Sequence, residues 1–414
     1  MERIEERFLR YVAVDTESAE EVEQVPSTER QHDLARMLCR ELQEMGFEAE
    51  HDEHCYVYGT IPGNRPDAPV IGFIAHMDTS PDMSGKDVKA KIVRFTGEDI
   101  LLNAEKGIVL SVKDYPSLEK YRGEDIICTD GTTLLGADDK AGVAEIMTLA
   151  QFYAENPDVP HGTIKIGFTP DEEVGNGPKY FDVKKFGADF AYTLDGGELG
   201  EIEYENFNAA AMKVQVKGLG IHPGSSKNKM VNASLIAIEF DSLLPAQQRP
   251  AFTEGYEGFF HLHSMQGEVE SATLTYIIRD HDAGKFEAKK ALALAAGEYL
   301  NKKYGEGTVT VEIKDSYRNM AEIIRQHYHL IDNARAAMQA IGVTPVTMPI
   351  RGGTDGATLS YMGLPCPNLC TGGANFHGRF EYIPVQSMEL TYEIAKGIAA
   401  RYADTRRTDY HDLK

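Results

Sequence analysis

The sequence predicts an α/β domain with a largely parallel sheet and helices on both faces, split by a smaller inserted α+β domain. Three observations carry this. Short β-branched apolar runs alternate with stretches of helical period through the first half of the chain. From about residue 208 to about residue 320 the texture changes to alternating, half-buried strands. After about residue 321 the first style resumes. The expected division is one domain from 1–207 and 321–414, with 208–320 as the insert.

The opening helix carries Ile4, Phe8 and Val12 on one face. Thr28 and Gln31 fit a capping box for a second helix. Its apolar face is Leu34, Leu38, Leu42 and Met45, and Gly46 ends it. Strands are expected at Cys55–Tyr58, Val70–Ile74, Ile164–Phe168 and Phe190–Leu194. Between two of them, Asp139–Asn156 places Val143, Ile146, Met147, Ala150 and Tyr153 at helical spacing. In the insert, Met212, Val214 and Val216 alternate along a strand. A helix from about Asn232 to Leu244, a strand at Ser271–Ile278, a helix at Phe286–Lys303 and a strand at Thr308–Ile313 follow. That order suits an open antiparallel sheet. A long helix over Ile323–Ile341 returns to the first domain. No repeat, heptad array or low-complexity segment interrupts the pattern.

Composition narrows the function. The chain has 414 residues, 42% hydrophobic and 26% charged, an ordinary globular balance. Its 65 acids against 42 bases give a formal net charge of -23. A nucleic-acid partner needs a basic face, and so does docking on an anionic membrane, so neither is expected. The longest apolar runs, Pro69–Ala75 and Ala291–Ala296, fall far short of the about 20 residues of a membrane span. Early acids at Glu2, Glu5 and Glu6 and no apolar stretch behind them argue against a secretory signal. Five cysteines, an odd number without a small-domain framework, read as reduced thiols in a cytoplasmic protein. Cys366 and Cys370 lack the spacing of a zinc or redox pair and read as core thiols. His51, His54, His327, His329 and His411 sit in polar surroundings and read as surface residues.

Four strand-like runs end in ligand-type side chains. They lead into His76-Met77-Asp78, Asp171-Glu172-Glu173, Asp195-Gly196-Gly197 and the segment ending at His377. A fifth element, Asp138-Asp139-Lys140, stands at the start of a helix. Singly, each has a plain structural reading as a turn, an N-cap or a solvated loop. Jointly they differ, because ligands collect at the carboxyl ends of strands in an open α/β sheet. Imidazole nitrogen mixed with carboxylate oxygen suits zinc, cobalt or manganese. A pair of such ions needs a bridging carboxylate and a further carboxylate free to accept a proton.

These segments resemble the M20 metallopeptidase family over nearly the whole chain. The motifs stand here as Ile74-Ala75-His76-Met77-Asp78-Thr79-Ser80, Leu134-Leu135-Gly136-Ala137-Asp138-Asp139-Lys140-Ala141-Gly142, Phe168-Thr169-Pro170-Asp171-Glu172-Glu173-Val174-Gly175 and Ile350-Arg351-Gly352-Gly353-Thr354-Asp355-Gly356. The resemblance implies a dinuclear zinc aminopeptidase that removes the N-terminal residue of tripeptides, with cobalt or manganese as substitutes. It implies that His76 and Asp195 hold one zinc, that Glu173 and His377 hold the other, and that Asp138 bridges them. Asp78 would orient His76, and Glu172 would be the general base. The Asp138-Asp139 peptide is a candidate for the cis form. The insert would be a lid, or the contact of a homodimer, hinged near Asn206–Ala210 and Tyr317–Met320. In it, His222 resembles a histidine that polarises the scissile carbonyl, or else caps its own turn. Arg279 resembles a substrate-carboxylate clamp, or else pairs with Asp280 or Asp282. Arg351 would bind substrate carboxylate or hold its glycine-rich loop. The rivals are another M20-type amidohydrolase (a dipeptidase, carboxypeptidase or N-acyl-amino-acid deacylase) and a non-catalytic metal-binding protein. A serine hydrolase is disfavoured by the lack of a Gly-x-Ser-x-Gly elbow, and no His-Glu-x-x-His helix occurs.

Overall fold

A computed structural model describes residues 2–410; His411 lies outside them. The chain forms two units. One runs to Tyr204 and resumes over Glu322–Met348 and from Thr354 onward; the other takes Glu205–Ala321 and Pro349–Gly353.

An eight-stranded sheet organises the first unit. Its spatial order is Glu48–His51, Val57–Ile61, Ile164–Thr169, Ile71–His76, Phe190–Gly196, Asn368–Cys370, Glu201–Glu203 and Val346–Thr347. The four consecutive strands from Ile164–Thr169 to Asn368–Cys370 pair in parallel, while antiparallel pairs flank them. Ile71–His76 is buried along its whole length, as expected of a central parallel strand covered on both faces. The helix Ala137–Glu155 packs on this strand and on Phe190–Gly196. It is buried nearly all round, so its apolar residues form no single stripe. Gly142 permits the contact: a Cβ there would lie 2.0 Å from the Leu194 carbonyl oxygen and 2.5 Å from Asp139 Oδ1.

Two smaller sheets draw on segments before this helix, with one strand from after it. Tyr382–Pro384, Asp125–Cys128 and Lys91–Arg94 form one, and Ile100–Asn103 with Ile108–Leu110 the other. Strands of three or four residues leave too little periodicity to be read in advance. The expected long helix near 323–341 is broken. Ala321–Ile324 passes through a 3₁₀ turn at Arg325–His327 before His329–Ala340.

The second unit is a four-stranded antiparallel sheet ordered Phe259–Gly267, Ser271–Asp280, Asn208–Lys217 and Val309–Tyr317. Helices Ala233–Leu243 and Ala283–Tyr304 cover one face. Met212, Val214, Ile236, Phe240, Leu274 and Leu300 meet in its core. The edge strand Phe259–Gly267 was not anticipated, because its second half is exposed and carries no apolar alternation. Pro349–Gly353 joins this unit through tertiary bonds. Ile350 N donates to the Glu205 carbonyl at 2.8 Å, and Arg351 Nη1 reaches the Gly255 carbonyl at 2.6 Å.

All five cysteines are free and buried. Among the described residues, no helix is long and apolar enough to cross a membrane. Two of the presumed surface histidines have inward partners. His329 meets the Tyr402 hydroxyl at 2.8 Å beside Phe190, and burial pushes its pKa down to about 4. His51 meets His32 at 2.8 Å.

Candidate metal centre

At the carboxyl ends of the central strands, two imidazoles face one carboxylate. His76 Nε2 lies 2.9 Å from Asp138 Oδ1, and His377 Nε2 lies 3.1 Å from Asp138 Oδ2. Each imidazole has a second acid of its own. Asp195 Oδ1 is 3.3 Å from His76 Nε2, and Glu173 Oε2 is 3.0 Å from His377 Nε2. His76, Asp138 and Glu173 present donor atoms within 4.8 Å of one another, and so do His76, Asp139 and Asp195.

The surrounding residues hold this arrangement. Asp78 Oδ1 is 3.3 Å from His76 Nδ1, and its two oxygens accept the backbone N–H of Glu172 at 3.0 Å and of Glu173 at 3.2 Å. One buried carboxylate thus sets both an imidazole and the loop bearing the two glutamates. The Asp138-Asp139 peptide is cis. Asp139 is fully buried; Oδ2 accepts from His76 N at 3.0 Å and Oδ1 from Gly142 N at 3.1 Å. It ties the histidine backbone to the helix start.

Several positioning residues escaped the reading of the sequence. Glu381 is buried and accepts the N–H of Leu135, Gly136 and Asp138 at 2.6, 2.9 and 3.1 Å, pinning the loop before Asp138. Asp171 Oδ1 accepts from the Ser27 hydroxyl at 2.6 Å and from Gln31 Nε2 at 2.7 Å. The expected capping box is not formed: the helix begins at Gln31 behind Arg30 with no side-chain cap, and the Thr28 hydroxyl donates to the Glu17 carbonyl at 2.7 Å. The shortest bond of the Gln31 amide goes to the glutamate loop, with longer ones of 3.3 and 3.4 Å to the Thr28 and Ser27 hydroxyls before its own helix. Asp82 lies 3.3 Å from His377 Nδ1. Asp355 accepts from the Thr169 hydroxyl at 2.7 Å, and burial pushes its pKa up to about 7. A single glutamate four residues after His377 was the available signal for Glu381; the contacts of Gln31 and Asp355 span far too much sequence to be read locally.

Electrostatics describes a site built for cations. Burial pushes Glu173 up to about 7 and Asp195 up to about 6. Burial, with Asp195 adding repulsion, holds Glu172 well above its ordinary value. Bonds to Asp138 and Glu173 push His377 up to about 11. Burial opposes charge on His76, yet Asp195, Asp138 and Asp78 outweigh it and raise its pKa. Burial likewise opposes charge on Asp138, and the two histidines overcome it and lower its pKa. Buried acids so crowded need positive partners. Glu173 Oε1 is buried without a hydrogen-bond partner among the described residues. Nitrogen and oxygen donors around a shared carboxylate fit a pair of divalent transition metals.

The residues expected on the substrate side belong to the second unit. His222 is exposed, and its Nδ1 accepts from Gly224 N at 3.2 Å. Arg279 donates to the Ile278 carbonyl at 3.0 Å and lies over the Tyr317 ring at 5.3 Å. Its expected alternative partner Asp280 is 3.0 Å from Lys289 Nζ. Arg351 donates to the carbonyls of Gly255 and Glu257 and to the Thr253 hydroxyl, and so holds the 253–257 loop.

The chain belongs to peptidase family M20/M25/M40, whose family model matches residues 134–401. Within that family its similarity is to peptidase T. Peptidase T of Alkaliphilus oremlandii is 56% identical over 408 residues, covering 97% of this chain and 100% of the relative. Peptidase T of Halothermothrix orenii is 56% identical over 406 residues, with 97% and 100% covered. The crystal structure of aminopeptidase PepT from Bacillus cereus superposes with a TM-score of 0.78 at 25% identity, covering 97% of this chain and 98% of the other.

Proposed function

We propose that this chain is a dinuclear zinc aminopeptidase that removes the N-terminal residue of tripeptides, with cobalt or manganese able to replace zinc. One observation carries the reading: the two oxygens of Asp138 face different imidazoles, and each imidazole has its own further carboxylate. His76 and Asp195 would hold one ion, Glu173 and His377 the other, and Asp138 both. Bound there, the ions supply Lewis acidity that acidifies water and polarises the scissile carbonyl. The protein's part is placement and proton transfer. Asp78 and Glu381 fix the ligand loops through the backbone N–H groups they accept. Glu172 takes the proton of the attacking water and returns it to the leaving amine. Burial and the neighbouring Asp195 raise its proton affinity above the ordinary carboxylate range, which favours acceptance of a proton. His222 and Arg279 would engage the substrate, with Arg351 supporting them through the 253–257 loop.

Peptide chemistry and the net charge of -23 leave nucleic acid and anionic membranes outside the partner set. A homodimer through the inserted unit is supported by the exposed Leu235 and Ile238 on helix Ala233–Leu243. A monomer by sedimentation at micromolar concentration would remove that reading.

The test is metal analysis of the pure chain beside hydrolysis of di-, tri- and tetrapeptides sharing one N-terminal residue. At least two metals and a clear tripeptide preference are expected. Equal rates across the series would overturn the tripeptide reading, and activity confined to N-acylated amino acids would favour a deacylase.

A further inference from the structure

Away from the Asp138 centre, the first unit brings together two imidazoles and a thiol. His32 is the second residue of helix Gln31–Glu44, and His51 is the last residue of the edge strand Glu48–His51. Cys55 sits in the turn leading to strand Val57–Ile61. A ring nitrogen of each histidine and Cys55 Sγ lie within 4.8 Å of one another. His32 Nδ1 and His51 Nε2 are 2.8 Å apart.

The backbone holds the thiol firmly. Cys55 is fully buried and adopts a φ of 72°, a left-handed conformation uncommon for a residue with a side chain. Asp52 fixes the turn: Oδ1 accepts from His54 N at 3.0 Å and Tyr56 N at 2.9 Å, and Asp52 N donates to the Tyr56 carbonyl at 3.0 Å. The His32 side chain is 13% exposed, which leaves an approach from solvent.

The geometry points to a third metal site, His32–His51–Cys55, that takes a zinc-like transition-metal ion and clips the helix Gln31–Glu44 to the edge hairpin of the sheet. Two nitrogens and one sulfur form a borderline-soft donor set, which selects zinc, cobalt or copper over calcium or magnesium. Metal–nitrogen bonds of about 2.0 Å and metal–sulfur bonds of about 2.3 Å in a tetrahedron place donors about 3.3–3.8 Å apart. The imidazoles must therefore separate by only about 0.5 Å to admit an ion. Binding releases the thiol proton to solvent as the metal–sulfur bond forms. Water fills the fourth position. The site does not depend on the peptidase reading, since it shares no residue with the Asp138 centre.

Cobalt reports on it directly, because none of the residues proposed for the catalytic pair is a cysteine. The full chain is loaded with cobalt chloride, metal is counted by mass spectrometry, and the near-ultraviolet spectrum is recorded. Three ions per chain and a thiolate-to-cobalt charge-transfer band are expected. Cys55→Ser should lose the band and one ion per chain. His51→Gln, whose side chain is only half-buried, should do the same and serves if Cys55→Ser fails to fold by circular dichroism. Two ions and no band in the unaltered chain would overturn the proposal. So would a band that survives in Cys55→Ser, because it would belong to another cysteine.

Discussion

Glu172 and Glu173 are neighbours in sequence with different surroundings, and their separation into base and ligand is the sharpest residue-scale expectation. Glu173 Oε2 lies 3.0 Å from His377, while both backbone N–H groups are held by Asp78. Glu172→Gln should keep both metals and the fold but lower kcat by about 10²–10⁴, the usual range for a lost general base. Glu172→Asp should retain more activity than Gln, because the base survives though displaced. Glu173→Gln should lose metal first, with activity partly restored by added metal. Metal content measured beside kcat for the two glutamines decides it; loss of metal in Glu172→Gln alone would swap the roles. A second residue, Glu145, lowers stability. It is fully buried in helix Ala137–Glu155, and neither oxygen has a hydrogen-bond partner among the described residues. Burial holds its pKa well above the ordinary value. Below the unfolded-state value both states carry the proton and stability does not change with pH through this group. As pH rises past about 4.5, the unfolded chain ionises while the folded one does not, and stability falls by about 1.4 kcal/mol per pH unit until the folded pKa is passed. Glu145→Met should raise Tm at pH 7 and flatten the decline of stability with pH, as read by denaturant titration from pH 5 to 8.

Elements were legible where one periodicity ran long enough. Buried runs such as Ile71–His76 and Phe190–Gly196 stood out, because central parallel strands are apolar on both faces. The helix after Asp138 was also legible, although its close approach to Leu194 depends on a single hydrogen at Gly142. Gly142→Ala should force helix and strand apart next to Asp195 and cost about 1–3 kcal/mol as an overpacked contact. Lower thermal stability together with weaker metal retention would be the readout. Where the chain crosses between units, three asparagines bond within the second one. Asn206 Oδ1 accepts from Met320 N at 2.7 Å, Asn319 Oδ1 from Asn206 N at 3.2 Å, and Asn208 Oδ1 from Asn319 N at 3.0 Å. The segments expected to act as hinges are thus cross-tied to each other. Asn206→Ala would leave the buried Met320 N–H unsatisfied, at a cost of about 1–3 kcal/mol in urea unfolding. No local pattern announces such a network, because its partners are over 100 residues apart in sequence.

At the scale of the whole molecule, metal removal should destabilise the fold as well as stop the reaction. An ion present at 100 times its dissociation constant adds about 2.7 kcal/mol per site to the folded state. Dialysis against a chelator should therefore lower Tm, and zinc should restore it; an unchanged Tm would mean that the acids at the centre are satisfied without metal. Most of the ligand-type side chains were readable in sequence because they follow apolar runs, and strand ends in a parallel sheet face one edge; Asp138 instead opens a helix. Class of fold, the two-part division and the candidate ligands all follow from such local regularities. Folding alone decided that Gln31 holds the glutamate loop, that Glu381 pins the turn before Asp138 and that Pro349–Gly353 joins the inserted unit. Those contacts join residues far apart along the chain, and periodicity within one element carries no information about which distant partner will satisfy a buried polar group.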